Sequence, residues 1–395
     1  ASAYASTAFM LHNSAFVREV SINSSVSAWR FDRADGKSVV SFWARRDGEY
    51  RMDLSGPTTD AVNMFGRIIA RGTSMNFKFT GMPMYLVTPK EKADDLEAAL
   101  GKAKVTAFTP LALKKVFFSR EREVTAIVQN NVDYRVDGIL SVANVRKSHS
   151  FAPLTNSQLV IALPAPVEIG SDVSLALDAG VMKKTFPIRT DFLRAGYVRT
   201  PTIDGSLTAA AALDEIRVDS RNFLYPPDAP WKGMDDLSVK AYAGWNEEGL
   251  YFAARVKDDR HEVPFDSIPD YWKSDSIQLA LDYEGESLGV YDGNDREIGL
   301  VIGANGPKAS LYTTKSWLPL SMKFAGRHEN GVTTYEAFIT WKELDLPVPA
   351  AGKLMPMSFI VNENDGQGRG SWMGLTAGIG ESKAPVNYRS FLFAK

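Results

Sequence analysis

Tryptophan is concentrated in the second half of this 395-residue chain, where an indole ring can either bind a ligand or fill a core. An indole face stacks on the apolar face of a pyranose ring, which buries area and aligns C–H bonds with the π cloud. Trp272 is the best candidate for such a contact, and the alternative is a tryptophan at a rim or in the core. The six tryptophans of this half are Trp231, Trp245, Trp272, Trp317, Trp341 and Trp372.

Trp372 offers an alternative platform, with Asn364 and Arg369 as polar partners. The competing interpretation is a tryptophan at a strand end that packs under the glycine-rich segment 365–370. Other large rings lie inside segments whose polarity alternates with period two, which predicts that they pack in the core. These are Trp245, Trp341, Tyr251 and Phe252.

Acidic loops supply the hard oxygen ligands that calcium prefers, about six to eight per ion. Asp292, Asn294 and Asp295 fall in one expected hairpin, and Asn364 with Asp365 falls in another. Turns also favour Asp and Asn for their own hydrogen bonds, so solvated turns are the alternative interpretation. Structural calcium is therefore a candidate cofactor, and no other cofactor is predicted.

Composition and spacing argue against several kinds of active site. The chain has no cysteine, which excludes disulfides and thiolate chemistry, and its four histidines share no metal-ligand spacing. Acid pairs such as Asp258-Asp259 point to different sides, whereas a glycosidase needs two carboxyl groups facing each other across about 5 to 10 Å. With a net charge of -2 and no apolar run of about 18 residues, neither nucleic acid nor a membrane is an expected partner. We expect no catalytic residues in this chain.

These candidate residues must be positioned by strands, because period-two alternation dominates from Val26 onward. Predicted strands include 26–31, 38–43, 62–69, 136–142 and 276–282. Helical spacing occurs near the N-terminus, where Tyr4, Ala8, Leu11 and Ala15 share one face. The sequence predicts an all-β fold of three β-sandwich units in series, preceded by one short helix. The predicted parts are a helix at 1–24, a sandwich at 25–88, a solvated helical connector at 89–104, an immunoglobulin-like sandwich at 105–198 and a third β unit at 199–395.

The third unit resembles the family 9 carbohydrate-binding modules and their DOMON-like relatives. Five ordered motifs carry the resemblance: Pro201-Thr202-Ile203-Asp204-Gly205, Leu250-Tyr251-Phe252 with Val256-Lys257-Asp258, Trp272-Lys273-Ser274-Asp275-Ser276, Tyr335-Glu336-Ala337 with Trp341, and Asn362-Glu363-Asn364-Asp365. The resemblance implies a β-sandwich with Trp272 in a sugar cleft and with Gln278 where the family has a carboxylate. Two positions depart from the family pattern. Gly299 aligns with the cleft arginine, and the segment 381–385 lacks the second stacking tryptophan.

The first two units resemble the C-terminal part of clan-type glycoside hydrolases, in which the last helix of a (β/α)₈ barrel runs into a β-sandwich. Residues 1–22 look like that helix, and residues 28–43 look like the first hairpin of the sandwich. Residues 63–66 and 82–86 look like its later signatures. The resemblance implies that a catalytic barrel precedes this chain, which would then be a fragment of the parent protein.

These features together predict a non-catalytic carbohydrate-binding and scaffolding region of a secreted, bacterial-type multidomain glycoside hydrolase, either extracellular or periplasmic. The expected partners are a poly- or oligosaccharide and the upstream catalytic domain. The alternative is a structural or protein-interaction β-sandwich array with a decayed sugar site. A third hypothesis follows from DOMON-like domains that hold haem through Met and His. His261 with Met322 or Met234 would be the ligands, although their spacing does not indicate axial ligation.

Overall fold

The computed structural model describes residues 7–46, 48–180, 182–265, 269–312 and 316–395. Within them the regular structure consists of strands, a helical turn at 7–10, one eight-residue α-helix and short 3-10 turns, which confirms the all-β fold class. None of the described helices is long and apolar enough to cross a membrane. The chain divides into two compact units. Unit 1 comprises the described residues up to Phe117 with Val124–Leu163 and Asp172–Ile188, and unit 2 comprises Phe118–Glu123, Pro164–Ser171 and Arg189–Lys395.

The elements in the first half of the chain are β1 (Ser14–Glu19), β2 (Val26–Arg33), β3 (Lys37–Ala44), β4 (Tyr50–Val62), β5 (Ile68–Phe79), β6 (Met84–Pro89), a 3-10 turn (Lys90–Lys92), α1 (Ala93–Leu100), β7 (Lys104–Ala107), β8 (Leu111–Arg120), β9 (Glu123–Asn130), β10 (Val136–Val142), β11 (Val145–Phe151), β12 (Asn156–Ala162), β13 (Val173–Asp178) and β14 (Lys183–Ile188).

The first sheet of unit 1 has seven strands in the order β1-β2-β3-β6-β4-β5, with β7 paired to β4. Its core is aromatic, and the ring centroid of Phe79 lies 5.4 Å from that of Phe42 and 5.5 Å from that of Tyr50. Alternating strand positions place these rings on one face, as the period-two pattern predicts. Helix α1 lies in the predicted connector, but it buries Leu96 and Leu100 and is therefore amphipathic rather than fully solvated.

Residues 14–19 form a strand, so the predicted N-terminal helix is wrong for this segment. The backbone leaves helical geometry before Asn13, which has a φ of 50°, and β1 then pairs antiparallel with β2. Phe16 lies near Phe31 of β2, with ring centroids 5.8 Å apart. An available sheet edge outweighs helical spacing in a segment that contains aromatic and β-branched residues. Tyr4, part of the predicted helical face, lies outside the described residues.

Residues 63–67 form a turn inside the segment predicted as one strand, 62–69. Asn63 causes the reversal, because its Oδ1 accepts hydrogen bonds from the backbone N–H groups of Phe65 (3.0 Å) and Arg67 (3.1 Å). An Asn side chain competes with strand pairing in this way. The turn separates β4 from β5, which then pair with each other.

Two further sheets complete unit 1, one in the order β11-β10-β13-β14 and one in the order β12-β9-β8. Each has a buried row, represented by Leu140 in the first and Val128 in the second. The sheets approach closely at Gly138 of β10, where a Cβ atom would lie 3.3 Å from Cδ1 of Leu111 in β8. The immunoglobulin-like assignment and the domain boundaries stay predictions.

The strands of unit 2 are β15 (Leu193–Tyr197), β16 (Ile216–Val218), β17 (Leu224–Tyr225), β18 (Leu237–Trp245), β19 (Gly249–Asp258), β20 (Ser276–Asp282), β21 (Asp295–Gly303), β22 (Gly306–Tyr312), β23 (Trp317–Pro319), β24 (Lys323–Glu329), β25 (Val332–Thr340), β26 (Leu354–Glu363), β27 (Ser371–Gly374) and β28 (Arg389–Phe393). Its 3-10 turns are Thr208–Ala212, Arg221–Phe223, Asp270–Lys273 and Pro385–Asn387.

Strand β15 links two sheets of unit 2, because it pairs in parallel with both β18 and β28. One sheet runs β18-β19-β25-β24 and the other runs β28-β26-β20-β21-β22-β23. The core lies between them, where Phe252 of β19 meets Phe359 of β26 at a centroid distance of 5.6 Å. The prediction of core packing is confirmed, since the buried residues include Trp245, Trp341, Tyr251 and Phe252.

Candidate functional site

One face of the sheet formed by β21, β20 and β26 carries polar side chains, and its other face is the hydrophobic core. The strand register sets Gln278 of β20 opposite Gly299 of β21, and Ser276 opposite Asn362 of β26. Successive side chains of a strand point to opposite faces, so Ile277 enters the core while both its neighbours face outward. The outward polar residues of these strands include Ser276, Gln278, Glu297, Ser358 and Asn362.

A cavity of about 340 Å³ opens on this polar face. Trp272 and Trp317 contribute aromatic rings, Gln278 and Arg369 contribute polar groups, and the segment 379–383 completes the lining. Trp272 lies on the 3-10 turn before β20, and Trp317 is the first residue of β23. The volume falls within the range of roughly 300–1,000 Å³ that is usual for small-ligand sites.

A continuous hydrogen-bonded network forms the floor of the cavity. Arg369 donates from Nη1 to Oδ1 of Asn362 (3.1 Å), and Asn362 donates from Nδ2 to Oε1 of Gln278 (3.1 Å). Gln278 donates from Nε2 to Oε1 of Glu297 (2.5 Å), whose other oxygen accepts from Nζ of Lys383 (2.6 Å). Because each side chain is fixed by the next, the polar groups are held in place before any ligand arrives.

Glu297 is a fully buried carboxylate whose two oxygens both have partners. In addition to Gln278 and Lys383, the hydroxyl of Tyr291 donates to Glu297 Oε2 at 2.9 Å. The hydroxyl of Tyr388 lies 2.5 Å from that of Tyr291. Burial raises the pKa of both tyrosines above the usual range, which keeps their hydroxyls protonated at neutral pH. The site therefore compensates this buried charge with one ammonium group and neutral donors.

The guanidinium group of Arg369 lies between two indole rings. Its Cζ atom is 4.6 Å from the ring centroid of Trp272 and 4.5 Å from that of Trp372. Such cation–π contacts contribute about 0.5 to 2 kcal/mol each, depending on desolvation. Burial lowers the pKa of Arg369, but a guanidinium remains charged at neutral pH. Arg369 thus links the ring at the cavity wall to the ring behind it.

Trp372 supports the cavity from behind. Its ring stacks on Tyr225 with centroids 5.9 Å apart and an interplanar angle of 12°. Its buried Nε1 has no hydrogen-bond partner among the described residues. A Cβ atom at Gly380 would lie 2.6 Å from Trp372 Cε2, so the absence of a side chain lets the segment 379–383 pass along the ring.

The structure brings together four of the five residues that the sequence proposed for a sugar site. Trp272, Gln278 and Arg369 line the same cavity, and Trp372 stacks against Arg369. Asn364 is fully buried and does not line the cavity; its Oδ1 accepts hydrogen bonds from the backbone N–H groups of Gly366 (2.8 Å) and Gly368 (3.0 Å). Asn364 therefore shapes the loop that carries Arg369.

Three contributors to the site were missed by sequence reasoning: Trp317, Glu297 and Lys383. Glu297 had a detectable signal, since it is a charged residue that directly precedes the apolar run Ile298–Ile302 of β21. Lys383 lies in the segment searched only for an aromatic ring. Gly299, the departure from the family arginine, has no space for a side chain, because a Cβ atom there would lie 2.0 Å from Cζ of Tyr271.

The predicted calcium residues lie together just before and at the start of β21. Asp292 Oδ1 accepts hydrogen bonds from the backbone N–H (2.9 Å) and Nδ2 (2.7 Å) of Asn294, and Asp295 Oδ2 accepts from the backbone N–H of Asp292 (2.6 Å). Burial and neighbouring carboxylates raise the pKa of Asp295 to about 7. Most of these oxygens stabilise the turn, and calcium binding here stays a prediction.

A protein-family model matches the part of the chain that contains the cavity. Residues 210–389 match the family model described as carbohydrate family 9 binding domain-like, which confirms the resemblance predicted for the C-terminal part of the chain. This segment includes every residue named above for the cavity and its floor. A search of curated proteins found no significant match.

Several solved structures also resemble the chain. A family 9 carbohydrate-binding module from Caldicellulosiruptor kristjanssonii in complex with cellotriose is 19% identical with a TM-score of 0.40, over 50% of this chain and 92% of that one. Its complex with glucose gives 19% and 0.40, over 51% and 93%. A GH2 β-galacturonidase from Eisenbergiella tayi bound to galacturonate is 12% identical with a TM-score of 0.21, over 48% and 45%.

Proposed function

We propose that unit 2 binds a carbohydrate in the cavity lined by Trp272, Trp317, Gln278 and Arg369. We further propose that the chain is a non-catalytic, carbohydrate-binding and scaffolding region of a secreted multidomain glycoside hydrolase, with the catalytic domain upstream. The observation that carries the proposal is the gathering of two indole rings and a fixed polar floor around one cavity within the family-matched segment.

The chemistry of the lining suits a sugar ring, which has apolar C–H faces and a rim of hydroxyl groups. Indole rings stack on such faces, and planar amide and guanidinium groups hydrogen-bond to hydroxyl groups. Gln278 and Arg369 each use only part of their hydrogen-bonding capacity within the floor network. The remaining donors and lone pairs can hydrogen-bond to the hydroxyl groups of a sugar.

The carboxylates near the cavity support a binding role without hydrolysis. Among the described residues of the lining, Glu381 is the single carboxylate, whereas glycoside hydrolysis uses two across about 5 to 10 Å. Oε1 of Glu381 also accepts a hydrogen bond from the backbone N–H of Gly378 (2.5 Å). Glu297 lies beneath the cavity and is held by Lys383.

A structural or protein-interaction array is the second candidate function, and the surroundings of Gly299 favour it. The ring of Tyr271 fills the space where the resemblance implies an arginine side chain. A site with fewer sugar contacts than its family would bind weakly or not at all. Binding measurements decide between the two functions.

The proposal is tested by electrophoresis of the intact chain through gels that contain soluble β-glucans, xylans, galactans or uronate-containing glycans. We expect at least one glycan to retard the wild-type protein, and Trp317→Ala to abolish most of that retardation. Trp43→Ala is the matched control, because it removes a half-buried tryptophan from unit 1. A wild-type chain that no glycan retards would favour the structural array, and retardation that Trp317→Ala leaves unchanged would mean that the glycan binds outside this cavity.

A further inference from the structure

Positively charged side chains at and beside the cavity differ in whether a carboxylate pairs with them. Nζ of Lys383 lies 2.6 Å from Oε2 of Glu297. Nζ of Lys273, on the 3-10 turn before β20, lies 2.8 Å from Oδ1 of Asp270. The guanidinium group of Arg369, in contrast, forms no ion pair with any described residue, although it lines the cavity.

Arg369 is only partly exposed, so water does not fully solvate its charge. Partly buried charges in proteins are normally paired. The indole rings of Trp272 and Trp372 lie against the guanidinium group, and such contacts contribute about 0.5 to 2 kcal/mol each. A hydrogen bond to an oppositely charged group contributes about 1.5 to 3 kcal/mol. The chain therefore leaves Arg369 without its most favourable partner.

Arg369 has donors that remain available to a ligand. Its Nη1 donates to Oδ1 of Asn362 at 3.1 Å, which is the hydrogen bond that its side chain makes among the described residues. None of its nitrogen atoms is buried without a partner, so the other N–H groups are open to solvent. The donors of a guanidinium group lie in its plane as a fork, which matches the two oxygens of a carboxylate.

The guanidinium group is also held in position before a ligand binds. Two indole rings flank it, and its acceptor Asn362 donates in turn to Oε1 of Gln278 at 3.1 Å. Binding costs less conformational entropy when the contacting side chain is already immobilised. A carboxylate that enters the cavity would therefore find a fixed, charged donor.

Glu381 is the carboxylate among the described residues of the lining, and it offsets this positive charge only in part. Its side chain is exposed, and Oε1 accepts hydrogen bonds from the backbone N–H of Gly378 (2.5 Å) and from the hydroxyl of Ser382 (3.3 Å). It forms no ion pair with Arg369, and water screens an exposed charge. The donors of Arg369 thus stay free of Glu381.

We propose that this cavity prefers an acidic sugar, whose uronate carboxylate accepts hydrogen bonds from Arg369. A uronate keeps the apolar ring face that stacks on an indole and adds a carboxylate at the edge of the ring. A neutral sugar offers Arg369 only hydroxyl oxygens, and charge-assisted hydrogen bonds are about twice as strong as neutral ones. Arg369 is then the specificity-determining residue. The inference rests on the proposed function, because it names the class of sugar that the same cavity binds.

The preference is tested by calorimetry of the intact chain with uronate oligosaccharides prepared from pectin, glucuronoxylan and alginate. Each is compared with its carboxyl-reduced counterpart, which keeps the ring and replaces the carboxylate by a neutral group. We expect at least one uronate to bind roughly tenfold more tightly than its counterpart. Arg369→Gln should remove most of that advantage and change the affinity for the neutral counterpart by less than about threefold.

Arg255→Gln is the matched control. Arg255 is an exposed arginine of β19 that likewise forms no ion pair with a described residue, and it does not line the cavity. The control should keep the ratio of the two affinities. A purely structural role of Arg369 would weaken the uronate and its counterpart by the same factor, so the ratio is the decisive measurement. If Arg369→Gln does not fold, Arg369→Met replaces it, since an unbranched side chain fits between the two rings.

Glu381→Gln gives a second, opposite test. It removes a negative charge from the lining while an amide oxygen can still accept from Gly378. We expect the uronate to bind roughly twofold to threefold more tightly and the neutral counterpart to bind as before. An unchanged ratio contradicts a carboxylate in this cavity.

The outcomes separate this inference from the proposed function. If every carboxyl-reduced sugar binds as tightly as its uronate or more tightly, the acidic preference is overturned and carbohydrate binding stands. An advantage that Arg369→Gln leaves intact overturns the role of Arg369. Failure of every sugar, acidic or neutral, to bind overturns the proposed function itself.

Discussion

Two glutamates on one sheet of unit 2, Glu297 and Glu363, are both buried but differ in their hydrogen-bond and ion-pair partners. Glu297, beneath the cavity, is fully buried and receives Lys383, Gln278 and Tyr291 at both carboxylate oxygens. Glu363, at the end of β26, is 9% exposed and has an oxygen without a partner. Burying a charge costs several kcal/mol unless a partner compensates it. The difference indicates that the chain itself neutralises the first carboxylate, whereas the second carboxyl group lacks a positive partner among the described residues.

The difference follows from the side chains that the surrounding chain brings to each glutamate. Lys383 comes from a segment 86 residues away in sequence, and it reaches Glu297 across the edge of the cavity. The chain around Glu363 supplies further acids instead, among them Asp258 and Asp365. The first arrangement stabilises a preformed floor, and the second raises the pKa of Glu363 through burial and neighbouring acids.

The largest expected effect is on the pH dependence of the free energy of unfolding. Burial raises the folded-state pKa of Asp258 to about 7, of Asp275 to about 8 and of Glu363 to about 10. Between pH 5 and 7 the folded state therefore holds protons that the unfolded state has released, so stability falls as pH rises. The free energy of unfolding should drop by roughly 1.4 kcal/mol per pH unit for each such proton.

Urea denaturation at several pH values measures this profile. Glu363→Gln should make the profile shallower by about one proton, because glutamine does not titrate. A profile that Glu363→Gln leaves unchanged would contradict the raised pKa of Glu363.

A smaller loss of stability is expected when Glu297, like Glu363, has no positive partner. Lys383→Met removes the ammonium group and leaves a fully buried carboxylate without its cation. Breaking a buried ion pair costs about 3 to 5 kcal/mol, and we expect about 2 kcal/mol because the Lys383 side chain is 36% exposed and partly screened by water. Urea denaturation at pH 7 measures the loss.

The double variant Lys383→Met with Glu297→Gln is the control for that experiment. In Lys383→Met the buried Glu297 carboxylate has no positive partner, and Glu297→Gln removes that charge. Most of the lost stability should therefore return, as in a double-mutant cycle. If the double variant is no more stable than Lys383→Met alone, Lys383 acts through packing and the electrostatic comparison fails.

The smallest effect concerns Glu297→Gln alone. A glutamine still fills the space and accepts hydrogen bonds, and Lys383 can turn its ammonium group toward water because the side chain is partly exposed. We expect a loss of about 1 kcal/mol at pH 7, measured by thermal or urea denaturation. A loss larger than that of Lys383→Met would reverse the assignment of which partner depends on the other.

Much of the fold could be predicted because alternation of apolar residues directly reports burial in strands. The segments 136–142 and 276–282 are strands with the predicted bounds. The errors at 14–19 and 63–67 have local causes that periodicity does not register, a free sheet edge in one case and the Asn63 side chain in the other.

The site was only partly predictable, for a different reason. Trp272, Gln278 and Arg369 could be identified from motifs and residue type. The Glu297–Lys383 pair and the ring of Trp317 depend on contacts between distant segments, which no local spacing encodes. Similarly, Glu363 is about a hundred residues away from Asp258 and Asp259, and the three side chains meet only because β19 and β26 end at one place.

One measurement tests the central claim most directly: calorimetric titration of wild type, Trp272→Ala and Trp43→Ala with a glycan that retards the wild-type chain. The account predicts that Trp272→Ala weakens binding by roughly tenfold to a hundredfold, because an aromatic stacking surface for the sugar is lost. Trp43→Ala should bind as tightly as wild type. Equal affinity of Trp272→Ala and wild type would contradict the claim that the cavity is the carbohydrate-binding site.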